Sequence, residues 1–145
     1  MHVFRKTAVL VAIVSTFACH DAAGPPPLPA DFVLDNINGR SVPTYWMPIP
    51  ESPTVISSTL HLDGAGNATL TEHRVQMTAP GDFTATSTFT YTISGNQIAF
   101  GYSCPPNAQC VAPPRGIISG SHLSLDMSGG SGAIVYNYLL TSLID

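Results

Sequence analysis

Three cysteines are the residues of this 145-residue chain best suited to covalent chemistry. Cys104 and Cys110 are separated by five residues in the stretch YSCPPNAQCVAPP, which is too rich in proline for a helix or a central strand. In an exported protein such a pair most simply forms a disulfide that closes a surface loop. A metal site is the alternative, but it needs two more ligands, and no other His or Cys lies nearby in the sequence.

Histidines are the next candidates for catalysis, and their spacing does not favour it. His61, His73 and His122 each fall in a predicted strand, among residues that alternate to the polar face. Glu72 and His73 lie on opposite faces of one strand, so they cannot act together. The chain has no Gly-x-Ser-x-Gly, no His-Glu-x-x-His and no phosphate-binding glycine loop. We therefore expect no enzyme activity, no catalytic residue, no metal site and no cofactor.

An aromatic and sulfur-containing cluster is the most suggestive binding feature. Tyr45, Trp46 and Met47 lie together in PTYWMPIPESP, a loop interrupted by prolines. Such loops run over a surface or a barrel mouth, where exposed aromatic and methionine side chains form an adaptable binding surface. The alternative is that Trp46 closes the end of the fold as part of the core, as single tryptophans of small domains do.

The N-terminus has the pattern of an export signal. Arg5 and Lys6 precede an uncharged apolar or small-residue stretch, TAVLVAIVSTFA, which is shorter than the roughly 20 residues of a membrane-spanning helix. Residues 1–18 are thus predicted to be a signal peptide. Ala18-Cys19 matches the end of the lipobox of bacterial lipoprotein signals, whereas Thr16 and Phe17 do not. We expect lipidation of Cys19; ordinary cleavage after Ala18 is the alternative.

Residues 19–30 are predicted to be a tether between the lipidated cysteine and the folded domain. They contain four prolines, which favour an extended polyproline II segment. Without residues 1–18, three arginines and nine carboxylates remain, a net charge of about −6 with no lysine. No basic patch is available for nucleic acid, and an anionic membrane surface would repel the chain. Membrane attachment is therefore expected through the lipid alone, on an exported protein that faces the periplasm or the cell surface.

Residues 31–145 are predicted to be one all-β domain. In FTATSTFTYTI, residues 83–93, aromatic and small residues alternate with five threonines, as in a half-buried strand. Similar alternation occurs around residues 54–62, 97–102, 122–127 and 134–140, and turn sequences such as Asn38-Gly39 lie between. Residues 68–77 change parity, which predicts a bulge or a register change near Glu72. Eight or nine strands with short turns favour an antiparallel up-and-down meander closed into a barrel of about eight strands, with a two-layer sandwich as the alternative.

The chain resembles the small lipocalin-like lipoproteins of bacteria over roughly residues 31–142. The resemblance lies in the signal and proline-rich linker, in FVLDNINGRSVP and LHLDGAGNATLTEH, and in GDFTATSTFTYTISGNQIAF and GSHLSLDM. The Gly-x-Trp of lipocalins is absent. The INGRSV hairpin is also similar to the META-type β-domains, whose Gly-Cys-Asn signature is missing. The lipocalin resemblance implies an apolar cavity at one barrel end and no enzymatic residues.

Two functions of different classes are consistent with these features. The first is a binding module for a small apolar ligand, held inside the barrel with Tyr45, Trp46 and Met47 at its mouth. Its predicted interior contacts are Phe89, Tyr91, Phe100, Tyr136 and Tyr138. The second is a structural or interaction lipoprotein of the cell envelope, with a filled barrel and a protein partner. An eight-stranded barrel is just wide enough for either.

Overall fold

The computed structural model describes residues 24–46, 52–76, 81–102, 110, 112–130 and 132–143. The predicted signal peptide, Cys19, Met47 and Cys104 lie outside these residues. Cys110 is described but its predicted partner is not, so the disulfide stays a prediction.

The described chain is built from strands, and none of its residues is helical. The strands are β1 (Ala30–Ile37), β2 (Arg40–Ser41), β3 (Thr44–Tyr45), β4 (Thr54–Leu62), β5 (Asn67–Val75), β6 (Asp82–Ser94), β7 (Gln97–Gly101), β8 (Arg115–Ser119), β9 (His122–Asp126) and β10 (Val135–Leu143).

Eight of these strands close into a barrel. From β4 to β10 each strand pairs with the next in antiparallel fashion, β10 pairs with β1, and β1 returns to β4. The two-residue strands β2 and β3 extend β1 and β4. The predicted all-β, up-and-down barrel of lipocalin-like type is therefore confirmed, and closure answers the question of barrel or sandwich.

Side-chain alternation explains why these segments form a barrel. In β10, Tyr136 and Tyr138 are 0% and 1% exposed, whereas Leu139 between them is 38% exposed. In β6, every threonine from 84 to 92 is outward and either exposed or half-buried. Since burying one large apolar side chain contributes about 1.5–3 kcal/mol, the inward residues supply the main driving force for closure.

The Asn38-Gly39 turn has the backbone that its sequence predicts. Both residues have positive φ, 51° for Asn38 and 77° for Gly39, as a two-residue hairpin of type I′ requires. The turn also binds the start of β10, because the Asn38 amide donates to Ala133 O at 3.0 Å and accepts from Val135 N at 2.7 Å. This turn at the end of β1 is thus hydrogen-bonded to the start of β10, which is distant in the sequence.

The register change predicted near Glu72 occurs in the pairing of β4 with β5, between the pairs Val55–Arg74 and Ser57–His73, whereas β5 itself has no bulge. β5 pairs with β6 without a register shift from Asn67 to Val75, so Glu72 follows Ala68 and Leu70 into the interior. The irregularity lies instead in β4, between Val55 and Ser57. It places Val55 inward with Leu60 and Leu62 and leaves Ile56 only half-buried. Simple alternation along residues 54–62 predicts instead that Ile56 shares a face with Leu60 and Leu62.

The barrel has two dissimilar ends. At the linker end, defined by Leu28 and the turn at 63–66, the N-terminal linker crosses the sheet: Gly120 N donates to Gly24 O at 3.1 Å. At the Trp46 end, defined by Trp46 and the start of β10, Trp46 N donates to Pro53 O at 3.0 Å. The buried ion pair of Glu72 with Arg74 lies toward the Trp46 end, where Arg74 contacts the Trp46 ring.

Candidate functional site

A buried carboxylate forms the centre of the most unusual side-chain cluster. The side chain of Glu72 is 5% exposed. Its Oε1 accepts a hydrogen bond of 3.1 Å from the hydroxyl of Tyr136, and its Oε2 accepts one from Nη2 of Arg74. Glu72 and Arg74 are two residues apart on β5, so both point inward. The ion pair and the tyrosine together compensate for the removal of the carboxylate from water.

Two tyrosines of β10 extend this cluster across the barrel. The Tyr138 hydroxyl shares a hydrogen bond of 3.0 Å with Ser58 Oγ of β4, and its ring lies 6.1 Å from that of Tyr136. Burial raises the pKa of both phenols well above the ordinary value, and the Glu72 charge raises the pKa of Tyr136 further. Both phenols are therefore neutral, and the arrangement is suited to holding strands together rather than to proton transfer.

Arg74 connects the cluster to the barrel mouth. Its guanidinium carbon lies 5.2 Å from the centroid of the Trp46 ring, a cation–π contact. Trp46 is half-buried and packs against the core, while the neighbouring Tyr45 is 47% exposed. Trp46 Nε1 and Arg74 Nε are both buried and have no acceptor among the described residues. Trp46 thus covers part of the core, and its predicted role in ligand binding stays a prediction.

The other predicted ligand contacts form a separate aromatic cluster. Phe89, Tyr91 and Phe100 pack near the linker end, with the Phe89 and Phe100 rings 5.8 Å apart and nearly perpendicular. The Tyr91 and Phe100 rings lie 6.4 Å apart. Tyr91 is 8% exposed, and burial raises its pKa. Five predicted contacts are therefore inward or half-buried, but they belong to two groups rather than to one lining.

The histidines lie outside the barrel. His61 Nδ1 lies 2.7 Å from Asp31 Oδ1, across the β1–β4 seam, and His73 Nε2 lies 3.3 Å from Asp82 Oδ2. His122 is exposed, with Nδ1 at 3.3 Å from Ser121 Oγ. As the alternation predicted, Glu72 and His73 point to opposite sides of β5. In the part of the chain that is described, no three His, Cys, Asp or Glu residues are grouped closely enough to hold a metal ion.

The outer face of the barrel carries exposed apolar side chains, which the threonine-rich outer face of β6 does not predict. Val33, Leu139 and Ile117 are 37%, 38% and 54% exposed on β1, β10 and β8; we call them the outer apolar patch. A groove of about 540 Å³ is bordered by Ile117 and Leu139. A second groove of about 430 Å³ shares Ile117 and also contacts Arg115 and Asp126. Ile117 and Leu139 therefore lie at concave surface, and Val33 is paired with Leu139 across β1 and β10.

The sequence pattern contained a signal for the buried cluster that a search for catalytic motifs overlooks. Leu70, Glu72 and Arg74 have the same parity, so regular pairing of β5 places both charges on the inward face. Two charged residues on an apolar face indicate either a register change or an internal ion pair. The partners that favour the ion pair, Tyr136 and Trp46, come from strands that only the fold brings near.

Comparisons with known proteins give no relative for this chain. No protein-family model, no curated protein and no solved structure matches it. Within the described ranges, no helix is long and apolar enough to cross a membrane. The resemblance to lipocalin-like lipoproteins stays a prediction, and the functional argument has to come from the geometry.

Proposed function

We propose that this chain is an exported lipoprotein of the cell envelope whose barrel is an interaction module for another protein. In this proposal residues 1–18 are a signal peptide, Cys19 carries the lipid, and residues 19–30 hold the barrel away from the membrane. Cys104 and Cys110 form a disulfide. The barrel contacts its partner through the outer apolar patch.

The occupied interior is the observation that carries the proposal. Tyr136, Tyr138, Phe32 and Leu125 are at most 2% exposed, and the ion pair of Glu72 with Arg74 occupies further space between them. A bore of eight strands holds either side chains or one ligand. Because these apolar and ionic side chains already occupy the bore, the interior favours a rigid scaffold over a ligand cavity.

The outer apolar patch supports a protein partner. Ile117 and Leu139 border a groove of about 540 Å³ on the outer face of β8, β9 and β10, and Val33 is paired with Leu139 across β1 and β10. Exposed apolar residues with a polar surround are typical of protein contact sites. Here Asn36 and Asn137 hydrogen-bond to each other at 2.8 Å within the same wall, so the patch has a fixed polar border.

Photo-crosslinking tests the partner. A photoreactive benzoylphenylalanine replaces Ile117 in the full chain in cells, and the control replaces the exposed Arg40 at the Trp46 end. We expect one discrete adduct from position 117, none of that mass from position 40, and loss of the adduct with Leu139→Asp. Absence of a position-dependent adduct at 117 contradicts the proposed contact.

Intact mass tests the anchor and the disulfide. The membrane-extracted mature protein is measured without reductant, beside Cys19→Ala. We expect the mass of a diacyl or triacyl group on Cys19 and the loss of two hydrogens for Cys104 and Cys110. An unmodified chain that starts at Cys19 or later contradicts the anchor.

A small apolar ligand is the second candidate. Three buried polar atoms have no hydrogen-bond partner among the described residues, and two of them, Trp46 Nε1 and Arg74 Nε, favour this candidate because they lie toward the Trp46 end, where a ligand entering from the mouth would meet them. Native mass spectrometry of the extracted protein distinguishes the candidates. A bound small molecule that is lost with Trp46→Ala supports the ligand, whereas an unliganded chain with a crosslinked partner supports the interaction module.

A further inference from the structure

One strand of the barrel is much longer than its neighbour. β6 pairs with β5 from Asp82 to Thr90, but with β7 only from Thr90 to Ser94. The opposite edge of residues 82–89 has no strand partner among the described residues. The ring of Tyr102, which packs against Phe89 at 6.4 Å, marks where this free edge ends.

The backbone groups on this edge can be assigned. Tyr91 N donates to Gly66 O at 2.8 Å, on the β5 side. In a regular strand, alternate residues direct both backbone polar groups to the same side, so the odd-numbered residues of β6 bond toward β5. Among the described residues, the N–H and C=O groups of Asp82, Thr84, Thr86 and Thr88 therefore have no strand partner on this side.

The free edge has none of the features that prevent edge pairing. Residues 82–89, DFTATSTF, contain no lysine, no proline and no glycine, and the β5–β6 register has no bulge. The one charge is that of Asp82, which lies at the end of the strand, 3.3 Å from His73 Nε2. Threonine and phenylalanine favour extended backbone. This part of an otherwise acidic chain is thus flat, neutral and prone to strand pairing.

We propose that the free edge of β6 binds the same edge of a second copy of this chain, forming a two-fold dimer with a continuous sheet. Antiparallel pairing centred on Thr86 places Thr84 opposite the partner's Thr88 and makes about six backbone hydrogen bonds between the copies. In this register Thr84, Thr86 and Thr88, whose backbone groups have no strand partner on this side, lie opposite one another. Self-complementarity of this kind is what an isologous interface requires.

The side chains agree with this register on both faces of the strand. On the outward face, threonine lies opposite threonine, which is a favourable cross-strand pair. On the other face, Phe83, 37% exposed in one copy, lies opposite the partner's Phe89. Asp82 lies beyond the paired stretch, because Gly101 of β7 already occupies the position beside Thr90, so like charges do not meet. This surface is separate from the outer apolar patch, and the inference does not depend on the proposed partner protein.

The test compares two lysine substitutions on β6. Thr86→Lys places two charges opposite each other at the two-fold axis. Thr92→Lys is the matched control, because Thr92 is also exposed and outward but is paired with Ala99 of β7, on the side where Thr86 has no strand partner. Sedimentation equilibrium of the full chain in neutral detergent is expected to show a concentration-dependent dimer. Thr86→Lys is expected to weaken it at least about tenfold, and Thr92→Lys to leave it unchanged.

Cysteine crosslinking keeps the inference testable if Thr86→Lys fails to fold. Directly opposed residues of a hydrogen-bonded antiparallel pair have Cα atoms about 5.5 Å apart, which suits a disulfide. Thr86→Cys is therefore expected to give a covalent dimer under mild oxidation, and Thr92→Cys is not. A monomer at every concentration, a dimer insensitive to Thr86→Lys, or crosslinking of position 86 to a different protein overturns the proposal.

Discussion

The hydroxyl of Tyr136 donates a hydrogen bond of 3.1 Å to Glu72 Oε1 inside the barrel, joining residues 64 positions apart in the chain. Because the acceptor is a buried carboxylate, this bond is stronger than one between neutral groups. It connects β10 to β5, strands that do not pair with each other. The interior is thus held by polar contacts across the bore as well as by apolar packing.

Removing this hydroxyl is expected to destabilise the fold more than removing its neighbour's. Tyr136→Phe leaves a buried charged acceptor with one donor fewer, at a cost of about 2–3 kcal/mol. Tyr138→Phe loses only the neutral contact with Ser58, at about 1 kcal/mol. Urea unfolding of both variants measures the difference. Equal costs would mean that the Glu72 charge is satisfied in another way.

The ion pair is expected to depend on both partners being present. The side chain of Arg74 is only 18% exposed. Glu72→Leu leaves its guanidinium without the carboxylate partner and is expected to cost about 3–5 kcal/mol of unfolding free energy. Glu72→Leu with Arg74→Met removes both charges and is expected to recover most of that loss, because well-packed apolar replacements of buried pairs are often neutral. Urea unfolding checks both. A double variant less stable than Glu72→Leu alone would contradict this account.

This cluster also marks the limit of what the sequence reveals. Alternation in residues 83–93 and 134–140, with turns such as Asn38-Gly39, is local information, and it was sufficient to predict an up-and-down barrel. The interior ion pair was missed because a charge on β5 was interpreted as a change of face. Its compensation comes from Tyr136 and Trp46, and no local pattern records that these residues meet Glu72 and Arg74. The open edge of β6 was missed for a related reason, since it depends on where β7 ends.

A close approach between β8 and β9 is expected to make Gly116 intolerant of a side chain. A Cβ at this position would lie 2.1 Å from Ser124 O and 2.6 Å from Leu125 Cδ2. Because the first contact is with backbone, relief requires the two strands to move apart, and Gly116→Ala is expected to cost about 2–3 kcal/mol. Gly81→Ala is the control, since no atom lies within 4 Å of its Cβ position. Thermal unfolding of both variants measures the contrast, and equal midpoints would show that the strands yield freely.

The amide of Asn38 is expected to hold the turn and the start of β10 together. Asn38→Ala loses the hydrogen bonds to Ala133 O and from Val135 N, and it places alanine at a φ of 51°. The combined effect is expected to be about 2–3 kcal/mol of unfolding free energy. Asn38→Gly relieves the backbone strain but not the lost bonds, so it separates the two contributions. Asn96→Ala, in the β6–β7 turn, is the control. Faster hydrogen exchange at the Val135 amide is the local signature, and unchanged exchange would contradict the role of the side chain.

Acid is expected to weaken the loop after β9 through Asp126. Hydrogen bonds from the Ser128 hydroxyl and backbone N, and from Gly132 N, hold the pKa of this exposed carboxyl below its ordinary value of 3.8. A carboxyl whose folded pKa is lowered contributes stability that is fully present above the unfolded pKa and is lost as pH falls through the folded value. The stability difference between the natural chain and Asp126→Asn is therefore expected to be largest near neutral pH and to shrink below about pH 4. Urea unfolding across this range measures it, with Asp35→Asn as a control for the loss of one exposed charge. A difference that stays constant down to pH 2 would mean that the carboxylate does not hold this loop.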